Sequence, residues 1–508
     1  MEHADTAQLV ALLGAVGAGL ALLARNRLAL VAGLAALALT EVGLAYSLGS
    51  VGGIDRVTSG AGAVAAVLGL GVLVAAASLA VRWPAYVPLA ALVAAPFRPP
   101  LDFGGGHHFL VAIATDGRLG RLLPLYFVLA ATALALAWRA LRGERPAPLP
   151  RLVALPATAF FAFAFLSLVW AKDVEAGANM LVFFTLPFAV LLAVVARAPY
   201  PAWLPRALGI TALTLGSIFA AIGLVQAITR TDFFYAPNLE VSNANTDYFR
   251  VTSLFGDPSL YGRHVVLAMS VVLVLLALRK LRLRLGIGLL VLMWAGLLFS
   301  YSQSSMAALA VVTLAIAAVT GDARIRRAVA VAAAVALVAA AGLATAKLLS
   351  GDSLRQISSD RTERVQDTTR VIAKHPLVGV GIGGQPNESR RLAHSTRPRE
   401  NFVSHTTPLT VAAELGVVGL ALYVWLLLGG SRVLLEVSRF DRALGLALGA
   451  AFLALFVHAL SYSGFLEDPL TWVVLGVGAG YLVQRRGQEA GAARAGSGRQ
   501  PEPAAVRS

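Results

Sequence analysis

The feature that most constrains this chain is a series of long apolar runs that cover most of its 508 residues. A helix needs about 20 mostly apolar residues to cross the hydrocarbon core of a bilayer. Fourteen runs of roughly this length occur, and a fifteenth, Pro84–Pro96, is shorter and flanked by proline. The sequence therefore predicts an all-α fold, a polytopic transmembrane helical bundle of about 14–15 spans with one large external loop that contains short helices.

The predicted spans can be placed by their apolar boundaries. The short run Pro84–Pro96 is compatible with a full span, a re-entrant segment or an interfacial segment. The other fourteen are Thr6–Ala24, Leu28–Leu48, Gly60–Val81, Leu122–Leu141, Leu152–Trp170, Met180–Ala196, Ala207–Ile228, Leu260–Leu278, Leu285–Tyr301, Ser304–Thr320, Ala328–Lys347, Pro408–Gly429, Ala443–Ser463 and Pro469–Val483.

Composition and charge support a chain whose main partner is the lipid bilayer. Only 14% of the residues are charged, against about 25% in soluble domains. A net charge of +15 would suggest nucleic acid on a soluble protein, but basic loops also orient a membrane protein, so no nucleic-acid partner is expected. The chain has no cysteine, which excludes disulfides, thiolate catalysis and cysteine-ligated metals.

The basic residues also predict an orientation. With fifteen spans and a cytoplasmic C-terminus, 24 of the 42 Lys and Arg residues fall in short loops on the inner side, as the positive-inside rule requires. The segment Ser350–His405 then lies outside, although it contains nine Lys or Arg residues and six acids. It is either an ordinary solvated loop or a binding surface for an anionic substrate. The tail 484–508, rich in Gly, Ala, Arg and Pro, is predicted to be a disordered cytoplasmic segment.

Arginines near the outer membrane edge are the candidate anion ligands. Arg361 and Arg364 are three residues apart on a helix-like stretch and share a face, where two guanidiniums suit a phosphate. The alternative is that they pair with nearby acids on a surface helix. Arg250 and Asp257 precede the span at Leu260, and Arg263 lies just inside it. Arg263 must face a cavity, form a pair or extend to the interface.

A second polar segment lies where the external loop re-enters the membrane. His405 is at this entry point, and its imidazole can accept a proton from a hydroxyl, although an isolated histidine is more often structural. Glu414 lies about two helical turns deeper and needs either a buried partner or a role in helix packing. The glycine-rich stretch Pro376–Gly384 predicts a tight turn that returns the chain to the membrane.

Together these motifs resemble the O-antigen ligase and O-antigen polymerase superfamily. The resemblance covers roughly Leu152–Val483, the predicted ligase-like core, and leaves 1–151 as additional N-terminal transmembrane helices. It rests on the segment from Arg361 through His375-Pro-Leu-Val-Gly-Val-Gly-Ile-Gly383; on His405-x-x-x-Leu-x-x-x-x-Glu-x-Gly-x-x-Gly419; on Arg250-x-x-Ser-Leu-Phe-Gly-Asp-Pro258; and on Leu166-Ser-Leu-Val-Trp-Ala-Lys-Asp173.

The resemblance implies a metal-independent membrane glycosyltransferase without a cofactor, in the bacterial inner membrane. Such an enzyme transfers a glycan from undecaprenyl pyrophosphate to a glycan, lipid or protein acceptor on the external face. It implies His405 as the catalytic residue, Arg361 and Arg250 as donor-pyrophosphate ligands with Arg364 and Arg263 beside them, and Glu414 and Asp257 as supporting groups.

Two departures from the family pattern qualify this interpretation. Thr406 stands where the family often has asparagine, and Tyr301-Ser-Gln-Ser-Ser305 replaces a Ser-Arg-Gly turn, so a phosphate-binding arginine is missing there. Arg263 is a candidate substitute. The competing hypotheses are a membrane transporter of a small anion, which would need polar groups along a mid-membrane path, and a non-catalytic polysaccharide-export component.

Overall fold

The computed structural model describes residues 2–48, 60–98, 122–231, 239, 243, 248–349, 361–462 and 464–497, and every regular element in these ranges is helical. The α-helices in chain order are α1 Glu2–Leu23, α2 Arg27–Ser47, α3 Gly60–Arg82, α4 Val87–Ala94, α5 Leu123–Leu141, α6 Arg151–Leu166, α7 Val174–Met180, α8 Leu186–Ala196, α9 Leu204–Thr229, α10 Pro258–Ala277, α11 Leu283–Leu298, α12 Gln303–Thr320, α13 Ala323–Leu349, α14 Arg361–Lys374, α15 Gln385–Leu392, α16 Thr407–Phe440, α17 Arg442–Ala459 and α18 Pro469–Ser497.

The predicted all-α polytopic bundle is confirmed, but fewer helices meet the length and apolarity of a span than the sequence predicts. Within the described ranges ten do, or eleven if one bent pair counts as a single span. The helix α11 is shorter, with 16 residues, and the apolar part of α18 runs directly into Gln484, Arg485 and Arg486. The helix α18 also continues to Ser497, into the tail for which the sequence predicts disorder, and 498–508 lie outside the described residues.

The run Pro84–Pro96 is the second limb of a broken helix. The chain bends by 103° between Ala66–Arg82 and Pro84–Ala94, and Pro84 begins the second limb, where its missing N–H and fixed φ are tolerated. The ring of Tyr86 lies 5.0 Å from that of Trp203, and the ring of Phe97 lies 6.4 Å from that of Phe219 in the middle of α9. The second limb therefore runs back into the bundle.

Contacts between helix ends define two faces of the bundle. On one, which we call the loop face, Gln8 in α1 donates to the carbonyl of Val169 after α6 (3.1 Å), and Thr406 donates to the carbonyl of Leu460 after α17 (3.2 Å). On the other, the opposite face, Arg197 after α8 donates to the carbonyl of Ala21 in α1 (2.7 Å). Residues 361–406 thus belong to the same end of the bundle as the start of α1.

The distribution of charge over these faces predicts a testable orientation, with the loop face outside. A single cysteine introduced at Thr396, which is exposed in the loop, should react with a membrane-impermeant thiol reagent in intact cells. A cysteine at Ala490, exposed near the end of α18, should react only after the membrane is permeabilised. The natural chain has no cysteine, so it provides the blank. The opposite labelling pattern would contradict this orientation.

Candidate functional site

A break in α16 organises the loop face. At Gly416 the backbone has φ 65° and ψ −165°, so the helix is interrupted there. An interruption removes the helical hydrogen bonds from the N–H groups of Val417 and Val418 to the carbonyls of Ala413 and Glu414. Unpaired backbone groups cost several kcal/mol each in a lipid environment, so all four need other partners.

The glycine-rich stretch 376–384 provides those partners. Val380 and Gly381 donate to the carbonyls of Ala413 (3.1 Å) and Glu414 (2.8 Å). In return, Val417 donates to the carbonyl of Pro376 at 2.8 Å, and Val418 donates to that of Leu377 at 3.3 Å. The predicted tight turn is therefore a main-chain clamp on the broken helix.

Glycine is required on both sides of this clamp. A Cβ at Gly379 would lie 2.3 Å from the carbonyl carbon of Glu414, and one at Gly416 would lie 2.2 Å from the carbonyl oxygen of Leu377. Both residues also have positive φ, which L side chains rarely adopt. The Glu414 side chain is buried, and its Oε1 accepts a long hydrogen bond from the N–H of Gln385 (3.5 Å). Glu414 therefore also ties α16 to the loop.

A buried carboxylate fastens the rest of the loop to the end of α6. Glu388 in α15 is buried, and its carboxylate accepts hydrogen bonds from Arg391 (2.6 Å) and Lys172 (3.1 Å) and contacts His375 (3.2 Å). The hydrogen bond from Arg391 lowers the pKa of Glu388 to about 2, and hydrogen bonds from Lys172 and His375 act in the same direction. Burial alone would raise this pKa. Glu388 is therefore ionised at neutral pH, and the stability it confers is lost only as pH falls from about 4.5 towards 2.

A buried ion pair lies beneath this loop. Arg263 in α10 and Asp468 before α18 are both almost fully buried and form a short salt bridge. Arg263 also donates to the carbonyl of Gly464 (3.1 Å) and to Nδ1 of His458 (3.2 Å). Burial alone would raise the pKa of Asp468, but the charges of Arg263, His264 and Arg98 outweigh it and keep that pKa below its ordinary value.

The hydrogen bonds of Arg263 determine the protonation of His458. A guanidinium N–H only donates, so Nδ1 of His458 accepts and the proton lies on Nε2. Nε2 is 3.2 Å from Oγ of Ser304, which joins a cluster of buried hydroxyls with Ser302 and Ser305. This cluster occupies the turn where the sequence lacks the family arginine.

His405 adjoins this network through an aromatic ring. The imidazole of His405 is half-buried and stacks on Tyr462, with ring centroids 6.2 Å apart and planes 27° apart. The same tyrosine ring lies 5.7 Å from the guanidinium carbon of Arg263. Burial raises the pKa of the Tyr462 phenol, which hydrogen-bonds to Asp257. Asp257 in turn caps α10 by accepting from the N–H groups of Ser259 (2.7 Å) and Leu260 (3.0 Å).

The remaining predicted site residues lie on the same face at different distances from His405. Arg364 donates to the carbonyl of Val403 (3.3 Å), two residues before His405. Arg250 is half-buried, and its Nε donates to the carbonyl of Ser300 (3.3 Å), at the start of the serine turn. Arg361 is the first residue of α14, one turn before Arg364, and its side chain is outside the described part of the structure.

Tyr462, His458 and Asp468 were not predicted from the sequence. All three lie at the end of α17 or in the short connection to α18, which carries no motif of its own. One signal was available, because Asp468-Pro469 repeats the Asp257-Pro258 pattern at the start of a helix on the same face. Arg98, which follows the second limb of the bent helix pair, is marked by no such pattern in the sequence.

A wide polar groove of about 820 Å³ lies on the outer side of the loop. It runs between α14 and residues 393–402, and its lining includes Gln366, Asp367, Arg370, His394 and Phe402. Carboxylate, amide and imidazole groups at this density can hydrogen-bond to a ligand rich in hydroxyl groups. Phe402 is buried and lies three residues before His405 in the chain, while His405 itself does not line the groove.

Part of the chain that forms this face matches a known protein family. Residues 288–424 match the protein-family model described as O-antigen ligase. The matched region contains the serine turn, the loop helices α14 and α15, His405 and the break at Gly416, and it ends before Tyr462 and Asp468. No curated protein matches the chain.

The clamp predicts that Gly416→Ala is severely destabilising. The new Cβ would force the carbonyl of Leu377 away at a position with positive φ, so we expect a loss of at least about 2 kcal/mol. Thermal unfolding in detergent, followed by tryptophan fluorescence, measures the effect. The control is Gly449→Ala in α17, where a Cβ would meet nothing within 4 Å and the helix should gain stability slightly. Equal melting temperatures for both variants would contradict the role of the clamp.

Proposed function

We propose that the chain, whose residues 288–424 match the O-antigen ligase family model, is a membrane glycosyltransferase of that superfamily acting at its loop face. It would move a glycan from an undecaprenyl-pyrophosphate donor to an acceptor hydroxyl on the external face of the bacterial inner membrane. Ligase and polymerase activities share this reaction and differ in the acceptor, which is a lipid or protein in the first case and another lipid-linked glycan in the second. We propose no metal or cofactor.

The observation that carries this proposal is the position of His405. It follows Phe402 of the groove by three residues in the chain, and the ring of Tyr462 lies between it and the buried network of Arg263, Asp468 and His458. A half-buried imidazole at the point where the loop enters the membrane can receive an acceptor hydroxyl from outside. This is the geometry expected of a general base at the membrane surface.

The proposed reaction is a single displacement. His405 removes the proton from the acceptor hydroxyl, whose oxygen attacks the anomeric carbon of the donor sugar. The bond between that carbon and the pyrophosphate oxygen breaks, and its electron pair leaves with undecaprenyl pyrophosphate. The configuration at the anomeric carbon is inverted. Because pyrophosphate is a good leaving group, the protein needs mainly to position the reactants and stabilise the developing negative charge.

Arg250 and Arg361 are the proposed ligands of the departing pyrophosphate, with Arg364 beside them. Arg250 is only half-buried, and it makes hydrogen bonds to the serine turn and to Asn243 but no ion pair with a described residue. Its guanidinium therefore keeps donors for a phosphate. One amino group of Arg364 donates to the carbonyls of Glu400 and Val403, so Arg364 also holds the chain that leads to His405.

Arg263 does not fit the role of phosphate ligand that the sequence suggests. Its guanidinium is nearly inaccessible and is engaged by Asp468, His458 and Gly464. We propose instead that Arg263 is a positioning residue that holds Tyr462, and through it His405, in place. Asp257 contributes to the same task through its hydrogen bond to Tyr462, and Glu414 through the clamp.

We predict that His405→Ala reduces glycan transfer by about 10²–10⁴-fold, the usual contribution of a general base. The purified protein would be incubated with a lipid-linked oligosaccharide, and the products identified by mass spectrometry. Donor binding and the melting temperature should stay close to those of the natural protein, because His405 lies at the edge of the loop and outside the clamp. The control is Lys374→Gln, since Lys374 is exposed at the end of α14 in the same loop and does not line the groove. Near-normal turnover by the His405 variant would refute the catalytic assignment.

We also predict that Arg250→Ala weakens donor use by more than about tenfold, because it removes a charge-assisted hydrogen bond worth ~1.5–3 kcal/mol. Arg361→Ala should act in the same direction. KM for the lipid-linked donor is the measurement, and Arg399→Ala is the control. Arg399 lies in the same loop but is exposed and only 3.9 Å from Glu400, a surface pair of little consequence. If the three variants bind the donor equally well, these arginines are not its ligands.

A further inference from the structure

A second polar cavity lies at the opposite face, remote from the site above. It has a volume of about 230 Å³ and lies between the ends of α2, α5, α8 and α18. Three arginines line it, namely Arg139, Arg145 and Arg197, together with the single acid Glu144. The charged groups of its lining therefore sum to +2, from three positive charges and one negative charge.

Arg197 is the central feature of this cavity because it is a buried cation without a counter-ion. Its side chain is 7% exposed, and its amino groups donate to the carbonyls of Ala193 (3.2 Å), Ala21 (2.7 Å) and Leu22 (3.3 Å). Its Nε has no hydrogen-bond partner, and no described carboxylate forms an ion pair with it. Burial lowers the pKa of Arg197 to about 10, which leaves it charged at neutral pH.

The other two arginines differ in what they can still bind. Arg139 is paired with Glu144 through two parallel hydrogen bonds, so this pair is neutral as a unit. Arg145 is exposed at the rim and forms no ion pair with a described residue. The uncompensated charge is therefore that of Arg197 inside and Arg145 at the entrance. A buried cation of this kind is stabilised by an anion that hydrogen-bonds to it.

The cavity also has an apolar wall, formed by Leu30 and Leu136 from α2 and α5. Its volume is several times the roughly 30 Å³ that one water molecule occupies, so it can hold more than a small ion. It lies at the ends of membrane-spanning helices, where the headgroups of lipids are found, and basic pockets between such helices are suited to acidic headgroups.

We propose that this cavity binds the phosphate of an anionic phospholipid. The phosphate would lie beside the guanidinium of Arg197, Arg145 would close over it from the rim, and the glycerol and first acyl carbons would contact Leu30 and Leu136. A lipid headgroup and free inorganic phosphate would offer these arginines the same phosphate anion. The apolar wall favours the lipid, because only a lipid has a hydrocarbon part to contact it. Such a lipid would join α1, α5, α8 and α18, because Arg197 already bridges α8 to α1.

The test uses the full-length protein in detergent and native mass spectrometry. Phosphatidylglycerol and phosphatidylcholine with identical acyl chains are titrated separately, and inorganic phosphate is added as a competitor. We expect phosphatidylglycerol to bind about tenfold more tightly than phosphatidylcholine and to raise the melting temperature, with phosphate competing weakly. The variant Arg145→Gln should reduce phosphatidylglycerol binding about tenfold.

The matched control is Arg142→Gln, in the same connection between α5 and α6. Arg142 is exposed, stacks on Trp138 at 4.7 Å and does not line the cavity, so this variant should bind like the natural protein. Arg197→Gln is a second probe, but its folding is at risk, and the conclusion therefore rests on Arg145. Equal binding of the two lipids, or unchanged binding by Arg145→Gln, would overturn the proposal. Complete displacement by inorganic phosphate would also overturn it, in favour of a free anion.

Discussion

The main-chain clamp between residues 376–384 and the break in α16 supports the rest of the loop face. A helix interrupted at Gly416 leaves two N–H and two carbonyl groups unpaired, and lipid offers them no partner. The loop supplies all four hydrogen bonds, so the break and the loop stabilise each other. Because His405 lies between the two halves of the clamp in sequence, its position follows from this pairing. Glycine residues are needed there for geometric reasons, independent of any chemistry they take part in.

The charged side chains at the loop face form two groups, one buried and one accessible to solvent. Arg263 and Asp468 are both inside the protein, and the pair is further satisfied by His458 and Gly464, as a buried ion pair requires. Removing either partner would leave an uncompensated charge, which is the usual reason why such pairs are sensitive to mutation. Arg250 and Arg364 are less buried. In the proposed function, arginine therefore stabilises the structure when it is buried and binds the donor when it is near the surface.

The two faces of the bundle use arginine in different ways. At the loop face several arginines form ion pairs with acids, as Arg391 does with Glu388. At the opposite face they dominate the short connections, which is the distribution expected of a cytoplasmic surface. Arg197 is an exception even there, since it is buried with only carbonyl partners. Its need for a negative charge connects the protein to the lipids around it.

Much of the fold follows from the sequence alone. The length and apolarity of the runs determine that the chain forms membrane-spanning helices, because a backbone in lipid must satisfy its own hydrogen bonds. The tight turn at 376–384 was predicted from its glycines, and His405 was singled out by its place at the membrane entry and by the family resemblance, but the pairing of the turn with the break at Gly416 required the structure. Only the tertiary structure decided that Arg263 pairs with Asp468, that Tyr462 stacks on His405, and that α3 and α4 form a bent pair. The first two contacts join segments far apart in sequence, and helix packing rather than local propensity determines which polar residues meet in the interior of a bundle.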